Sequence, residues 1–319
     1  MALQILILIS GLILVILGAN FLVEGASSIA RRAGLSEFVI GLTIVGIGTS
    51  APEMVVSFIG AIEGNSAISV GNIVGSNIFN ILLILGVVAF INPIVINRDN
   101  QRRDIPINLF ITVLLILLGF KHTIFGVGED CLSRFDGALF LLLFALYLFI
   151  SFRSASAEDT QSPAEKPPMK TVIAVLAVVL GLASLILGGK VFMGSAEKIA
   201  RMIGVSDKFI AITVLAGGTS LPELATSVVA AMKKKDQMAL GNIIGSTTSN
   251  VLLILGGSAL IHPLSFAAMN KVDMGVFLVS SILLLTCSYT GKKKCLDKGE
   301  GAVFLLLFAG YIAWLIYTM

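Results

Sequence analysis

Apolar runs of roughly 17–25 residues, the length a hydrocarbon core about 30 Å thick requires, follow one another along the whole 319-residue chain. Ten can be marked, at positions 2–23, 37–61, 68–91, 105–121, 135–152, 171–192, 207–231, 238–261, 273–290 and 301–318. Short polar stretches separate them. In lipid a spanning segment must satisfy its own backbone N–H and C=O groups, so each run predicts a helix. No basic segment precedes the first run, which therefore reads as a retained span rather than a cleaved leader.

The polar stretches divide the chain in two. Ser151 to Lys170 holds Ser154, Ser156, Glu158 and Asp159, then Pro163, Pro167 and Pro168. That composition predicts a flexible linker over 153–170, between a first unit at 1–152 and a second at 171–319. The units repeat each other. A shift of 170 lays Thr49 on Thr219, Glu53 on Glu223, Ser57 on Ser227, Gly71-Asn72 on Gly241-Asn242, Gly75-Ser76 on Gly245-Ser246 and Asn80 on Asn250. Gly18 meets Gly188, Arg31 meets Arg201 and Pro93 meets Pro263, so a duplication is read. Five spans per unit is an odd number, which turns the second unit over in the membrane. The fold class predicted is an all-α polytopic membrane protein of ten transmembrane helices in two inverted five-helix repeats.

Charge sets the orientation. With the N-terminus outside, fifteen of the 22 Lys and Arg residues fall on the cytoplasmic side. The positive-inside rule then predicts a plasma-membrane protein with both termini extracytoplasmic and the linker cytoplasmic. The basic turn around Lys198 to Lys208 falls on the outside in that map. Lys292-Lys293-Lys294 reads as a topology signal, and Glu37, Glu63 and Asp207 as solvated helix ends.

Composition narrows the class. Hydrophobic residues make up 56% and charged residues 13%, against about 25% charged in soluble domains. Cys131, Cys287 and Cys295 have no metal-ligand spacing, and His122 and His262 lie near run ends. No phosphate-binding Gly-x4-Gly-Lys-[Ser/Thr] loop, His-Glu-x-x-His or Ser–His pair occurs, and the loops are short. An intramembrane enzyme and an ATP-driven pump are therefore disfavoured. The partner implied is the bilayer; no cofactor, nucleic acid or protein partner is.

Two stretches break this pattern from inside. Gly46-Ile47-Gly48-Thr49-Ser50-Ala51-Pro52-Glu53 sits mid-way along the second run, and Ala216-Gly217-Gly218-Thr219-Ser220-Leu221-Pro222-Glu223 along the seventh. A carboxylate at membrane depth costs at least ~2.5 kcal/mol. Proline strips carbonyls of their helical partners, and Gly/Pro-interrupted runs in matching places mark a transporter's binding site. Thr49 and Glu53, four apart, share a helix face, as do Ser50 and Glu53, three apart. The next runs add Ser76 with Asn80, and Ser246 with Asn250, each four apart. Together they predict a ring of oxygens, carrying the two negative charges of Glu53 and Glu223, suited to a hard cation. Small-residue packing competes as the account of Ser76 and Ser246, and inter-helix hydrogen bonding as that of Asn72 and Asn242.

The doubled Gly-Thr-Ser-x-Pro-Glu motif, each copy followed by Gly-Asn-x-x-Gly-Ser-(x)3-Asn, resembles the calcium/cation antiporters, most closely the microbial sodium/calcium exchangers. The resemblance runs the length of the chain. It implies a four-helix ion-binding core, with Thr49, Glu53, Thr219 and Glu223 for Ca2+. For Na+ it implies Ser50, Ser76, Ser220 and Ser246, the Gly46 and Ala216 carbonyls, and Asn80 and Asn250 beside them. The activity implied is export of Ca2+ in exchange for Na+ by alternating access. One position departs: the family often has Asp where this chain has Asn250. The site then lacks a third carboxylate, and exchange of Ca2+ for H+, with the two glutamates as proton carriers, stands beside the Na+ reading. A calcium channel is a third, disfavoured by the mirrored breaks because channels use rotational rings.

Overall fold

A computed structural model describes residues 1–153, 168–203, 216–267, 269–290 and 295–318. The first helix, α1 (Ala2–Ala33), is 32 residues long. It runs past the predicted end at 23 because Gly25, Ala26, Ser27 and Ala30 bury small faces. Gly34 stops it, in the left-handed conformation (φ 65°) that lets its N–H reach the Ala30 carbonyl.

The second run is bent. α2 (Glu37–Thr49) and α3 (Ala51–Ile62) meet at 49°, and Pro52 stands in the first turn of α3, where its missing N–H costs nothing. Ser36 caps α2 by accepting the Val39 N–H at 3.2 Å. α4 (Ser66–Ile91) and α5 (Ile105–Gly119) follow, then α6 (Arg134–Arg153). The second unit gives α7 (Thr171–Met202), α8 (Leu221–Met232), α9 (Asp236–Ile261), α10 (Lys271–Thr290) and α11 (Lys298–Tyr317). Seven helices, and the α2–α3 pair as an eighth, are long and apolar enough to cross a bilayer among the described residues. α5 spans 15 residues and α8 spans 12; the start of the predicted seventh run, Asp207 with it, lies outside the described residues.

Burial identifies the centre. The most apolar windows of α4 and α9 are 72% and 83% buried, against 28% in α1 and 11% in α11. α4 and α9 therefore form the interior, with α2, α3 and α8 against them, while the outer helices present Leu6, Ile13, Leu142, Leu180 and Leu306 outward, as lipid contact requires. α1 and α7 lie together antiparallel: Gly11 faces Gly188, Gly18 faces Gly181, and Gly25 faces Ala174. A Cβ at Gly18 would sit 2.8 Å from the Gly181 carbonyl oxygen, so the approach needs glycine.

Two short ladders tie the loops of one unit to those of the other. β1 (Ile94–Val95) pairs antiparallel with Cys295–Leu296, and β2 (Cys131–Leu132) with Leu264–Ser265. Tyr147 on α6 donates to Asp104 at 3.1 Å, and Tyr311 on α11 donates to Asp273 at 3.0 Å, so each unit braces its last two helices alike.

Three expectations need correction. Arg153, placed in the linker, belongs to α6. Residues 154–167 lie outside the described chain, but the linker's end is held: Met169 N–H donates to Ser28 Oγ at 3.4 Å, and Arg32 donates to the Pro168 carbonyl at 3.4 Å. Glu37 is no solvated helix end. It pairs with Lys235 at 2.7 Å and accepts from Ser27 at 3.2 Å, because α2 starts beside the turn that joins α8 to α9.

Candidate ion-binding site

The breaks at Ser50 and Ser220 face each other across the middle of the fold. Ser50 Oγ donates to Glu223 Oε1 at 2.9 Å, and Ser220 Oγ donates to Glu53 Oε1 at 2.9 Å. Each carboxylate is therefore held by the hydroxyl of the opposite break, and Glu223 lies within range of the charge of Glu53. Both glutamates are buried, at 0% and 1% exposure. Among the described residues, the ion pairs involve neither of them. Buried acids without a basic partner are costly unless something else neutralises them.

The neighbouring helices complete the ring. Ser76 Oγ reaches Glu53 Oε1 at 3.4 Å. Ser246 Oγ donates to the Gly46 carbonyl at 3.2 Å. Thr49 Oγ1 lies beside Glu223 and bonds the Gly46 carbonyl at 3.4 Å and Asn242 Oδ1 at 3.3 Å. Thr219 Oγ1 lies beside Glu53. Ala216 opens the described part of the second break, in a short helix Ala216–Gly218. The helices close in here because Gly46 lies against α9: a Cβ at Gly46 would come 3.0 Å from Ser246 N.

Several buried polar atoms at this centre have no partner among the described residues: Glu53 Oε2, Glu223 Oε2, Thr219 Oγ1, Asn250 Oδ1, and both side-chain polar atoms of Asn80. An unmet buried polar group costs about 1–3 kcal/mol. Five of these atoms are oxygens, the kind of donor a hard cation takes. No group of three or more His, Cys, Asp or Glu occurs among the described residues, so any metal held here is held by two carboxylates and neutral oxygens.

Asn72 and Asn242 act as braces. Asn72 Nδ2 donates to the Glu53 carbonyl at 3.2 Å and Ser57 Oγ at 3.0 Å; Asn242 Nδ2 donates to the Glu223 carbonyl at 3.4 Å and Ser227 Oγ at 2.8 Å. They hold the first turn after each break, which keeps the glutamates aimed inward. Both α4 and α9 also widen into a π-helical turn here, over Phe79–Ile84 and Asn250–Leu255; such turns are frequent at functional sites. A largely apolar cavity of about 290 Å³ between α3 and α7, with Lys190 on its wall, reaches Thr219 and Pro222.

A family model described as "Sodium/calcium exchanger protein" matches residues 3–153 and 173–317. The chain belongs to the sodium/calcium exchanger family. It is 39% identical over 310 residues to the putative antiporter CaxA of Alkalimonas amylolytica, covering 94% of this chain and 95% of that one. It is 33% identical to the sodium/calcium exchanger MaX1 of Methanosarcina acetivorans, covering 98% of each. The Ca(2+)/H(+) antiporter of Synechocystis is a more distant relative, 24% identical over 82% of this chain and 78% of its own. A solved structure of the sodium-calcium exchanger NCX_Mj, soaked with Na+ and Sr2+, superposes with a TM-score of 0.84 at 33% identity over 98% of both chains. The resemblance read from the doubled motif is thus the family of this chain, a membrane antiporter with the exchanger fold.

The sequence places Asn77 and Thr247 in the polar stretches Gly75-Ser76-Asn77 and Gly245-Ser246-Thr247 without a role of their own, and Asn108 was missed. Asn77 is wholly buried and bonds across to α9, and Asn108 on α5 donates to Thr247 Oγ1 at 2.7 Å. Asn77 stands inside the motif quoted above, but at a variable position, and its counterpart at the 170-residue shift is Thr247. The repeat, which singled out the other polar residues, therefore passed over it.

Proposed function

We propose that this exchanger moves Ca2+ out of the cell against inward-moving Na+, by alternating access to one site between the two breaks. The observation that carries the reading is the reciprocal bonding of Ser50 to Glu223 and Ser220 to Glu53, which leaves one oxygen of each carboxylate unpartnered and buried. Glu53, Glu223, Thr49 and Thr219 bind Ca2+. Ser50, Ser76, Ser220 and Ser246, the Gly46 and Ala216 carbonyls, and Asn80 and Asn250 serve the counter-ion. Ca2+ and Na+ compete for the same two carboxylates, so a site neutralised by one attracts the other less, and that competition couples them. The architecture is ten helices in two inverted repeats; the antiparallel α1–α7 pair, helices equivalent under the 170-residue shift, supports it. This pair slides against the α4–α9 core to switch exposure. The protein lies in the plasma membrane with both termini outside.

A second reading is Ca2+/H+ exchange with the glutamates as proton carriers. The donor set favours it to this extent: two carboxylates and no third, since residue 250 is Asn. Ca2+ uptake into proteoliposomes separates the two. An outward Na+ gradient alone drives uptake under the first reading. Uptake under a pH gradient alone, with none under the Na+ gradient, would establish the second, and uptake indifferent to both would mean a channel.

A further inference from the structure

The centre contains two asparagines related by the repeat, Asn80 and Asn250, and their surroundings differ. An amide side chain offers a cation its oxygen but repels it with its N–H groups, so which end faces the ions decides whether it is a ligand at all. For Asn250 a chain of hydrogen bonds makes that decision. It begins at the Thr247 main-chain carbonyl, which can only accept. Asn77 Nδ2 donates to that carbonyl at 3.2 Å. The Asn77 amide is thereby turned so that its Oδ1 faces Asn250, and Asn250 Nδ2 donates to that oxygen at 2.9 Å. Asn250 Oδ1 is what remains: buried, without a partner, one turn beyond Ser246.

Asn80 has no such chain. The residue corresponding to Asn77 in the second half is Thr247, whose hydroxyl is engaged with the Ile243 and Ile244 carbonyls, each at 3.0 Å, and with Asn108 Nδ2 at 2.7 Å. Nothing among the described residues takes either end of the Asn80 amide, and both its polar atoms are unpartnered.

We infer that Asn77 is a positioning residue that locks the Asn250 amide with its oxygen toward the transported ions, so that the duplicated site ends in one fixed amide, Asn250, and one amide, Asn80, that no described residue holds. The inference rests on the reading of the site as an exchanger's ion pocket and goes beyond it, because Asn77 itself touches no ion. A pre-oriented oxygen binds a cation without first turning round. A free amide can present oxygen to a cation or N–H to water or a carboxylate. The halves of the pocket are therefore unequal in selectivity although their motifs match.

The test is a double-mutant cycle in proteoliposomes: wild type, Asn77→Leu, Asn250→Leu and the double variant. Initial Ca2+ flux is measured against the concentration of the counter-cation, Na+ or H+, that drives the wild type. Asn77→Leu should raise the counter-cation KM about tenfold with kcat nearly unchanged, the scale seen when a group that orients a metal ligand is removed. In the Asn250→Leu background the same change should add less than about twofold, because its effect passes through Asn250. Asn77→Leu combined with Asn80→Leu should instead multiply the two separate effects. Asn77→Thr, which places in the first half the residue that the second half carries, repeats the measurement should the leucine variant misfold. An unaltered KM in a folded Asn77 variant, or independent multiplication with Asn250→Leu, overturns the proposal. A wild-type protein that couples Ca2+ flux to neither cation would instead overturn the exchanger reading, so the two failures are told apart.

Discussion

The breaks at Ser50 and Ser220 are written in nearly the same residues, and their surroundings are not the same. Thr49 Oγ1 is engaged with the Gly46 carbonyl and Asn242, whereas Thr219 Oγ1 has no partner among the described residues and borders the cavity beside α7. The turn after α3 uses Gly64 at φ 70°, and the corresponding turn after α8 puts Lys234 at φ 57°. The acids and the serines that hold them are the same in both breaks, while the shell around them differs. The part that is alike is the part where buried charge must be handled; the difference lies in the neutral groups around it.

The sharpest way to break the comparison is to neutralise each acid in turn. Glu53→Gln and Glu223→Gln should each lower Ca2+ flux by at least ~100-fold while the purified proteins stay folded, since each removes half the negative charge of a buried site. One variant retaining full flux would make the halves unequal at their centre. Next come the serines. Ser50→Ala and Ser220→Ala each delete one hydrogen bond to a carboxylate, worth about 1.5–3 kcal/mol. Apparent Ca2+ affinity should shift by roughly 10- to 100-fold in both, by similar amounts; a large inequality would show that one carboxylate dominates.

The threonines sharpen the difference rather than the likeness. Thr219→Val should weaken Ca2+ binding with little change in thermal stability, because its hydroxyl has only the Glu53 carboxylate beside it. Thr49→Val should also lower stability by about 1 kcal/mol through loss of its one hydroxyl hydrogen, shared between the Gly46 carbonyl and Asn242 Oδ1. Thermal melts with and without Ca2+ separate these outcomes. The smallest effect is at the turn: Lys234→Gly should raise stability by about 1 kcal/mol, relieving a left-handed residue that carries a side chain. No gain in the melting temperature would show that Lys234 is not strained in that conformation.

Much of this was legible in the residues, and the limits have a physical cause. Spacing along one helix reports which side chains share a face, so Ser76 with Asn80 and Ser246 with Asn250 could be singled out from position alone; Thr49 and Ser50 turn instead to Glu223, because the span bends between them and Glu53. A proline beside a carboxylate inside an apolar run shows a broken span without any coordinates. Contacts between helices are set by how glycine faces and turns fit together. Hence the Lys235–Glu37 pair, the loop ladders of Ile94–Val95 and Leu264–Ser265, and the Asn77–Asn250 bond left no periodic signal. The ends of α1 and α7 were missed for a related reason: Glu24, and Glu197 with Lys198, interrupt the hydropathy, but small buried residues carry the helices onward.

Equilibrium binding of radioactive 45Ca2+ to the purified protein tests the centre of this account most directly. The account predicts saturable binding in the wild type that Na+ displaces, and its loss in Glu53→Gln and in Glu223→Gln alike. Undiminished binding in either folded variant would mean that the two breaks do not hold the metal together.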